Sequence, residues 1–249
     1  MSSSTTTIPS GRWTGSPARF LHVTRPVIFP CLFIGLAILT VGVVWGLCCA
    51  PADWQQGETV RIMYLHVPMA WLASADYVLL ALCGLLCMVW RHPLAGIVAL
   101  EAGPLGATAT ALCLITGSLW GKPGWGTWWV WDARLTSMLV LFFLYIGHIL
   151  IIRAFDDPVR GQRAAALLAL AGVVDLPIIK FSVQWWNTLH QPDSITLTGA
   201  PTMSMSMFYP LLVCATGFTL TGIALLLIRT RTTLLERRAQ SLALREPLV

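Results

Sequence analysis

The sequence predicts an all-α integral membrane protein with six transmembrane helices and no second folded domain. Hydrophobic residues make up 56% of the 249 residues and charged residues only 11%, whereas an ordinary soluble domain is about 25% charged. Six segments are apolar over roughly the 20 residues that a helix needs to cross a bilayer. In chain order these segments are residues 27–49, 67–90, 95–119, 135–153, 164–184 and 207–228.

Polar stretches marked by proline or glycine separate the six segments and support each assignment in turn. The first segment follows a tail rich in Ser, Thr, Pro and Gly, and it ends at PADWQQGETVR. RHP separates the second segment from the third, a tryptophan-rich stretch the third from the fourth, and RAFDDPVRGQR the fourth from the fifth. The long stretch WWNTLHQPDSITLTGAPTMSMS precedes the sixth. We therefore assign residues 1–26 to a disordered cytoplasmic tail, 27–228 to the membrane domain and 229–249 to a second cytoplasmic tail.

The positions of the basic residues predict that both termini are cytoplasmic, because Lys and Arg accumulate on that side of a membrane. With both termini inside, twelve of the sixteen basic residues lie on the cytoplasmic side. The other four lie on the outer side: Arg61, Lys122, Arg134 and Lys180. This topology explains the net charge of +5 without a nucleic-acid partner, and it places the tryptophan-rich stretch on the outer face.

The tryptophan-rich stretch, WGKPGWGTWWVWDARLT, is the most informative part of the chain. Five of the twelve tryptophans lie within it, spaced by glycines: Trp120, Trp125, Trp128, Trp129 and Trp131. Each indole offers a large flat apolar face and a single N–H donor. An aromatic belt would populate both membrane interfaces, but this topology puts ten of the twelve tryptophans on or near the outer face. We therefore favour a platform for a large planar ligand over a belt.

Two of the five histidines share the outer face with this platform. His66 opens the second span, and His190 lies in the polar stretch before the sixth. Two imidazoles beside an aromatic platform are the arrangement that axial ligation of haem iron requires, so we predict that both are axial ligands. His148 lies towards the cytoplasmic end of the fourth span, where we expect it to cap a helix or to form a hydrogen bond between helices instead.

The charged residues near the membrane have two possible uses. Arg61, Lys122 and Arg134 lie where the propionates of haem could meet them, and guanidinium binds carboxylate through two parallel hydrogen bonds. Alternatively, Arg134 and Asp132 only fix the chain where it enters the fourth span. Carboxylates inside a membrane are costly and usually face a partner. We expect those in or near the spans to join helices in a structural network: Asp76, Glu101 and Asp175.

The string WGTWWVWDARLT resembles the WWD motif of haem-handling proteins in cytochrome c maturation. With six spans and the two histidines in these places, the chain resembles the haem exporter protein C (CcmC) family from about Val27 to Ile228. The resemblance implies that His66 and His190 are the axial ligands. It also implies a haem platform with these members: Trp120, Trp125, Gly126, Trp128, Trp129, Trp131 and Asp132.

The resemblance further implies a multi-pass protein of the bacterial inner (cytoplasmic) membrane that carries haem b as a transported ligand. Members of the family present haem at the periplasmic face to a periplasmic haem chaperone (CcmE). They work with an ATP-binding subunit (CcmA), a second membrane subunit (CcmB) and a one-span protein (CcmD) in an ABC transporter complex. The sequence lacks G-x-x-x-x-G-K-[ST], so we expect no enzyme here, and any ATP hydrolysis would belong to a partner.

The alternative function is that of a membrane cytochrome b-type oxidoreductase. Such proteins hold haem between helices within the bilayer, with histidines at matching depth on facing spans. In this sequence the candidate pair is predicted at the outer surface, and His148 has no histidine partner at its depth. A glycan-transferring enzyme would need an acidic metal-binding cluster and a large lumenal domain, which the sequence does not contain.

Overall fold

The fold is a bundle of long helices. The computed structural model describes residues 16–192, 194–196 and 199–244. Its helices are α1 (Pro17–Val44), α2 (Met63–Trp90), α3 (Pro93–Trp125), α4 (Ala133–Ala154), α5 (Pro158–Gly172), α6 (Asp175–Trp185) and α7 (Met205–Ala243). A π-helical turn, Trp45–Cys49, extends α1, and a 3₁₀ turn, Glu58–Ile62, leads into α2. Within the described residues six helical stretches are long and apolar enough to cross a membrane, which confirms the all-α fold with six spans.

Local sequence signals explain where several helices begin. Proline occupies the first position of α3 and of α5, where its missing N–H costs no helical hydrogen bond. The residue before each proline caps the helix. His92 Nδ1 accepts from the backbone N–H of Ala95 at 3.3 Å, and Asp157 Oδ1 accepts from that of Val159 at 2.9 Å. These caps satisfy backbone donors that the first turn of a helix leaves open.

The packing of the helices sets where the core lies. α1 packs along α7, α2 along α3, and α4 against α3, α5 and α6. The main core surrounds two fully buried tyrosines, Tyr77 and Tyr145, whose rings meet edge to face at 5.1 Å. The hydroxyl of Tyr145 donates to the carbonyl of Ala73 at 2.7 Å. This bond joins α4 to α2 through the middle of the bundle.

Two helices extend beyond their predicted spans. α1 begins at Pro17, so residues 17–26 are helical although the sequence predicts a disordered tail there; residues 1–15 lie outside the described residues. α7 continues to Ala243, through much of the predicted tail 229–249. Packing between the two extensions is the physical reason. Arg231 donates to the Leu21 carbonyl and, at 2.8 Å, to the Thr24 hydroxyl.

The fifth span is two helices, α5 and α6, rather than the single helix that the sequence predicts. The break falls at Val173 and Val174. Its cause is Pro177, which has no N–H to donate to the Val173 carbonyl and so cannot continue the helix through this turn. The N–H of Leu176 bonds to that carbonyl instead, at 3.1 Å. Asp175, buried at the start of α6, lies at a helix N-terminus, where the helix dipole stabilises a carboxylate.

Two polar residues in the spans join helices as predicted. The carboxylate of Glu101 on α3 accepts from Arg229 at 2.9 Å and from the Thr233 hydroxyl at 2.6 Å, both on α7. His148 Nδ1 on α4 lies 3.3 Å from the Ala165 carbonyl on α5. The structural roles predicted for Glu101 and His148 are therefore confirmed.

Candidate functional site

The first candidate ligand, His66, is held against α3 through one side of its ring. Its Nδ1 lies 3.0 Å from the Cys113 carbonyl and 3.1 Å from the Thr116 hydroxyl. Because a carbonyl oxygen only accepts, this hydrogen bond requires the proton to be on Nδ1. The lone pair of the ring is then on Nε2. A Cβ at Gly117 would lie 3.0 Å from His66 Cε1, so glycine leaves room for the ring beside α3.

The second candidate ligand, His190, lies in the connection between α6 and α7. Its backbone N–H donates to the Thr188 hydroxyl at 2.8 Å. Its Nδ1 lies 2.9 Å from the Gln191 carbonyl and 3.3 Å from Arg134 Nη1. The Gln191 carbonyl can only accept, so its shorter contact favours a proton on Nδ1, whereas Arg134 can only donate and would bond to a lone pair on the same atom. His66 thus has the tautomer in which Nε2 can bind a metal and Nδ1–H is fixed by an oxygen, as is usual for ligating histidines, and the Gln191 carbonyl favours the same tautomer in His190.

The fold brings the two histidines and two of the tryptophans together. His66 and His190 are close enough to interact electrostatically. Trp120 meets the His66 ring edge to face, with ring centres 5.6 Å apart. Trp125 lies 6.5 Å from the His190 ring, tilted by 57°. These four rings come from α2, α3 and the α6–α7 connection, and they meet at one end of the bundle, which we call the tryptophan end.

The tryptophan-rich stretch is only partly a loop. The sequence places the end of the third span at residue 119, but α3 continues to Trp125 and carries Trp120 and Trp125 on its last turns. Gly126 ends the helix with a left-handed φ of 77°, and its N–H donates to the Lys122 carbonyl at 3.0 Å. Hydropathy marks the membrane-embedded part of a helix, and here capping and packing carry the helix beyond it.

The remaining platform residues lie on the connection from α3 to α4 and differ in exposure. The side chains of Trp128 and Trp131 are 55% and 75% exposed. Trp129 is half-buried and packs edge to face on Trp131 at 5.5 Å. Asp132 is buried and caps α4, because its Oδ1 accepts from the Leu135 N–H at 2.8 Å. The connection therefore presents two indoles outward while a helix cap fixes its end.

Arg134 lies beside His190, at the start of α4. Its guanidinium donates to the Ser182 hydroxyl at 3.3 Å and to the Lys180 carbonyl at 3.2 Å, both on α6. It therefore ties α4 to α6 next to the candidate ligand. Arg134 is the predicted cation that the structure brings closest to one of the two histidines, through its 3.3 Å contact with Nδ1.

The other two predicted cations are engaged with nearby backbone. Lys122 donates to the Gly126 carbonyl at 2.9 Å and lies 5.7 Å from the centre of the Trp128 ring. Arg61 pairs with Glu58 and donates to the carbonyls of Gly46 and Leu47 at 3.0 and 2.7 Å. Arg61 thereby closes the end of the π-helical turn, and Lys122 closes the end of α3.

Three residues of the site were not predicted from the sequence. Cys113 and Thr116 hold His66, and Gln56 accepts a hydrogen bond from the Trp120 indole N–H at 2.7 Å. Thr116 offered a weak signal, as a polar residue within an apolar span. Gln56 offered none, because its contact with Trp120 joins residues that are far apart in the chain.

Comparison with known proteins identifies the family. The family model described as "Heme exporter protein C" (CcmC) matches residues 12–245. The "Heme exporter protein C" of Bradyrhizobium diazoefficiens is 50% identical over 227 residues, 91% of this chain and 86% of the relative. That of Haemophilus influenzae is 48% identical over 208 residues, 84% of this chain and 85% of the relative. That of Paracoccus denitrificans is 40% identical over 233 residues, 93% of this chain and 96% of the relative.

These matches cover nearly the whole chain and include both candidate ligands and the entire tryptophan-rich stretch within the range of the family model. They decide against the alternative of an oxidoreductase. The chain belongs to the Heme exporter protein C (CcmC) family, and it is a non-catalytic, haem-handling, multi-pass protein of the bacterial inner membrane that takes part in cytochrome c maturation.

Proposed function

We propose that the protein binds haem b at its tryptophan end, with the iron bonded by Nε2 of His66 and Nε2 of His190. The observation that carries this proposal is that each histidine lies against a tryptophan from the last turns of α3, at the same end of the bundle. The Nδ1 of His66 lies 3.0 Å from the Cys113 carbonyl, which puts the lone pair of that ring on Nε2, and the 2.9 Å contact of His190 Nδ1 with the Gln191 carbonyl favours the same state there. Two imidazoles in this state suit axial ligation of one iron.

The tryptophans supply the surface for the porphyrin. Trp120 and Trp125 pack beside the two histidines, and Trp128 and Trp131 are exposed on the adjoining connection. Stacking on an aromatic ring contributes about 0.5–1.5 kcal/mol beyond the burial of area. Several such contacts together with two iron bonds hold haem firmly, while the exposed indoles leave one edge of the ligand open to an approaching protein.

Cations near the site complete the binding of haem by neutralising its propionates. Arg134 is the first candidate because it already contacts His190. Lys122 lies beside Trp128, and Arg61 lies at the end of the π-helical turn. Each of these three side chains donates to a backbone carbonyl. A propionate would therefore either share the N–H donors of the side chain with that carbonyl or replace the carbonyl. The same cations also stabilise the backbone around the platform.

The tryptophan end faces the periplasm, and both termini are cytoplasmic. The distribution of basic residues supports this orientation, with twelve of the sixteen on the side of the termini. In this orientation the open haem edge is available to the periplasmic haem chaperone CcmE. CcmA, CcmB and CcmD are the partner subunits, and hydrolysis of ATP belongs to CcmA.

Replacement of the two histidines tests this function. His66→Ala and His190→Ala should each lose the low-spin haem spectrum of the purified protein and block loading of the chaperone, because each removes one iron bond. Both variants should still insert into the membrane, since each loses only a few hydrogen bonds at one end of a bundle of six apolar spans. The measurement is haem per protein, with haem-loaded chaperone counted against equal amounts of inserted variant.

His148→Ala is the matched control, because His148 is buried among the helices and hydrogen-bonds the backbone of its neighbours, including the Ala165 carbonyl. It should keep normal haem content. Wild-type haem loading in both His66→Ala and His190→Ala would rule out the ligand assignment. A loss of haem in His148→Ala as severe as in His190→Ala would place the site deeper in the bundle.

A further inference from the structure

One side chain of the connection between α1 and α2, residues 50–57, is hydrogen-bonded to the candidate haem platform. Gln56 Oε1 accepts the indole N–H of Trp120 at 2.7 Å. Gln56 is half-buried, whereas the neighbouring Gln55 is exposed. We propose that Gln56 is a positioning residue for haem, which fixes the Trp120 indole against the ligand His66. This inference rests on the proposed function of the tryptophan end.

Both backbone polar groups of Gln56 are hydrogen-bonded, so the point from which its side chain extends is fixed. Its N–H donates to Asp53 Oδ1 at 2.9 Å, and its carbonyl accepts from the Thr59 hydroxyl at 2.7 Å. The turn is closed by reciprocal backbone bonds between Asp53 and Gly57, at 2.8 and 3.2 Å. Every hydrogen-bonding group of Gln56 except its amide NH₂ therefore has a named partner, and the side chain reaches α3 from a rigid turn.

The bond to Gln56 determines which part of Trp120 faces the ligand. An indole has one N–H donor, and in Trp120 Gln56 takes it. The rest of the ring is apolar, and it meets His66 edge to face at 5.6 Å. On the α3 side, His66 is already fixed by Cys113 and Thr116. The orientation of the Trp120 indole beside His66 is thus set by its hydrogen bond to Gln56.

Removal of the acceptor should loosen haem without unfolding the protein. Gln56→Met keeps the length of the side chain but leaves the Trp120 N–H without its acceptor. The indole can then rotate to find water and no longer supports the imidazole. One hydrogen bond corresponds to about a fivefold change in an equilibrium constant, so we expect haem to dissociate about fivefold faster from the Gln56→Met protein.

The first experiment tests the bond itself, without haem. Indole N–H signals are recorded by NMR from detergent-solubilised, ¹⁵N-tryptophan-labelled protein, and the Trp120 signal is assigned by its loss in Trp120→Phe. Gln56→Met should shift this signal, and Gln56→Glu should restore a hydrogen-bonded position because a carboxylate also accepts. Gln55→Met, one residue away and exposed, is the control and should leave the signal in place. An unchanged Trp120 signal in Gln56→Met would overturn the proposal.

The second experiment tests the consequence for haem. The full-length protein is loaded with haem b, and transfer to excess apomyoglobin is followed by absorbance, together with the low-spin spectrum and midpoint potential of the bound haem. Gln56→Met should release haem about fivefold faster and shift the potential, whereas Gln55→Met should match wild type. Gln56→Glu keeps an acceptor for the Trp120 N–H and should therefore release haem as slowly as wild type. In a Trp120→Phe background, Gln56→Met should add nothing, because the donor is already gone.

The outcomes separate this proposal from the proposed function. Wild-type release and potential in Gln56→Met, despite a shifted Trp120 signal, would overturn the positioning role and leave haem binding by His66 and His190 intact. Haem binding that survives His66→Ala and His190→Ala would overturn the proposed function itself. Faster release from Gln55→Met as large as that from Gln56→Met would also overturn the proposal, since the effect would then belong to the whole connection.

Discussion

At the scale of single residues, the sequence named His66, His190 and Arg134 as candidates for the site, but not the residues that hold His66. His66 and His190 could be named from the sequence because they flank predicted spans on the side of the tryptophan-rich stretch. Their orientation depends on Thr116, Cys113 and Arg134, which reach them across 47 to 56 residues of chain. Only the packing of α2, α3 and α4 brings these groups together, so Cys113 could not be found from the sequence, Thr116 gave only a weak signal, and Arg134 was named only as a contact for a propionate.

Asp132 gives a prediction at the same scale, because its Oδ1 caps α4. Asp132→Ala removes the cap and should lower the stability of the protein by about 1 kcal/mol. The first turn of α4 carries Arg134, so transfer of haem to the chaperone should fall as well. Thermal unfolding in detergent and the haem-loaded fraction of the chaperone measure the two effects.

Asp132→Asn is the matched control, since asparagine caps a helix through the same oxygen. It should retain wild-type stability and most of the transfer. If Asp132→Asn fails as badly as Asp132→Ala, the negative charge of Asp132 has a role that capping does not explain.

At the scale of helices, hydropathy located all six spans but misplaced several of their ends. The sequence ended the third span at residue 119, and the structure carries α3 on to Trp125. Hydropathy reports contact with lipid, whereas the end of α3 is set by Gly126. The break between α5 and α6 was missed for a similar reason. Pro177 was visible in the sequence, but both halves are apolar, so the segment looked like one helix.

Gly126 and Gly124 offer a controlled test of how the end of α3 is set. A Cβ would meet no atom within 4 Å at either position, and only Gly126 has a left-handed φ, of 77°. Gly126→Ala should therefore destabilise the protein by about 1 kcal/mol through backbone strain and shift Trp125 relative to His190. Gly124→Ala, inside the helix, should be neutral or stabilising.

Unfolding temperature and haem content of the two alanine variants provide the measurement. Equal stability of Gly126→Ala and Gly124→Ala would show that the left-handed conformation of residue 126 does not set the end of α3. Loss of haem in Gly124→Ala alone would mean that residue 124, rather than the helix end, contacts the ligand.

At the scale of the whole molecule, the two ends of the bundle are built differently. At the end away from the tryptophans, Glu101 joins Arg229 and Thr233, and Arg231 joins Leu21 and Thr24, so α1, α3 and α7 are tied together. At the tryptophan end, the α3–α4 connection carries exposed indoles, His190 lies in the α6–α7 connection, and His66 lies near the start of α2. One end is locked by polar bonds between helices, and the other presents surface for a ligand.

The exposed cysteines Cys48 and Cys49 at the tryptophan end allow the orientation of this molecule to be tested. A membrane-impermeant maleimide should label the wild-type protein in intact spheroplasts, because we place this end in the periplasm. The Cys48→Ser/Cys49→Ser variant should not be labelled. Addition of Arg238→Cys to that variant should restore labelling only after lysis, since residue 238 is exposed at the other end of α7. The opposite labelling pattern would mean that the tryptophan end faces the cytoplasm.

The most direct test of the central claim is a structure of the full-length protein in lipid with haem b bound. The iron should lie within bonding distance of Nε2 of both His66 and His190, with each Nδ1 still at its backbone carbonyl and the porphyrin against the indoles of the tryptophan end. Iron bonded by only one of these histidines, or a porphyrin held elsewhere in the bundle, would contradict the claim.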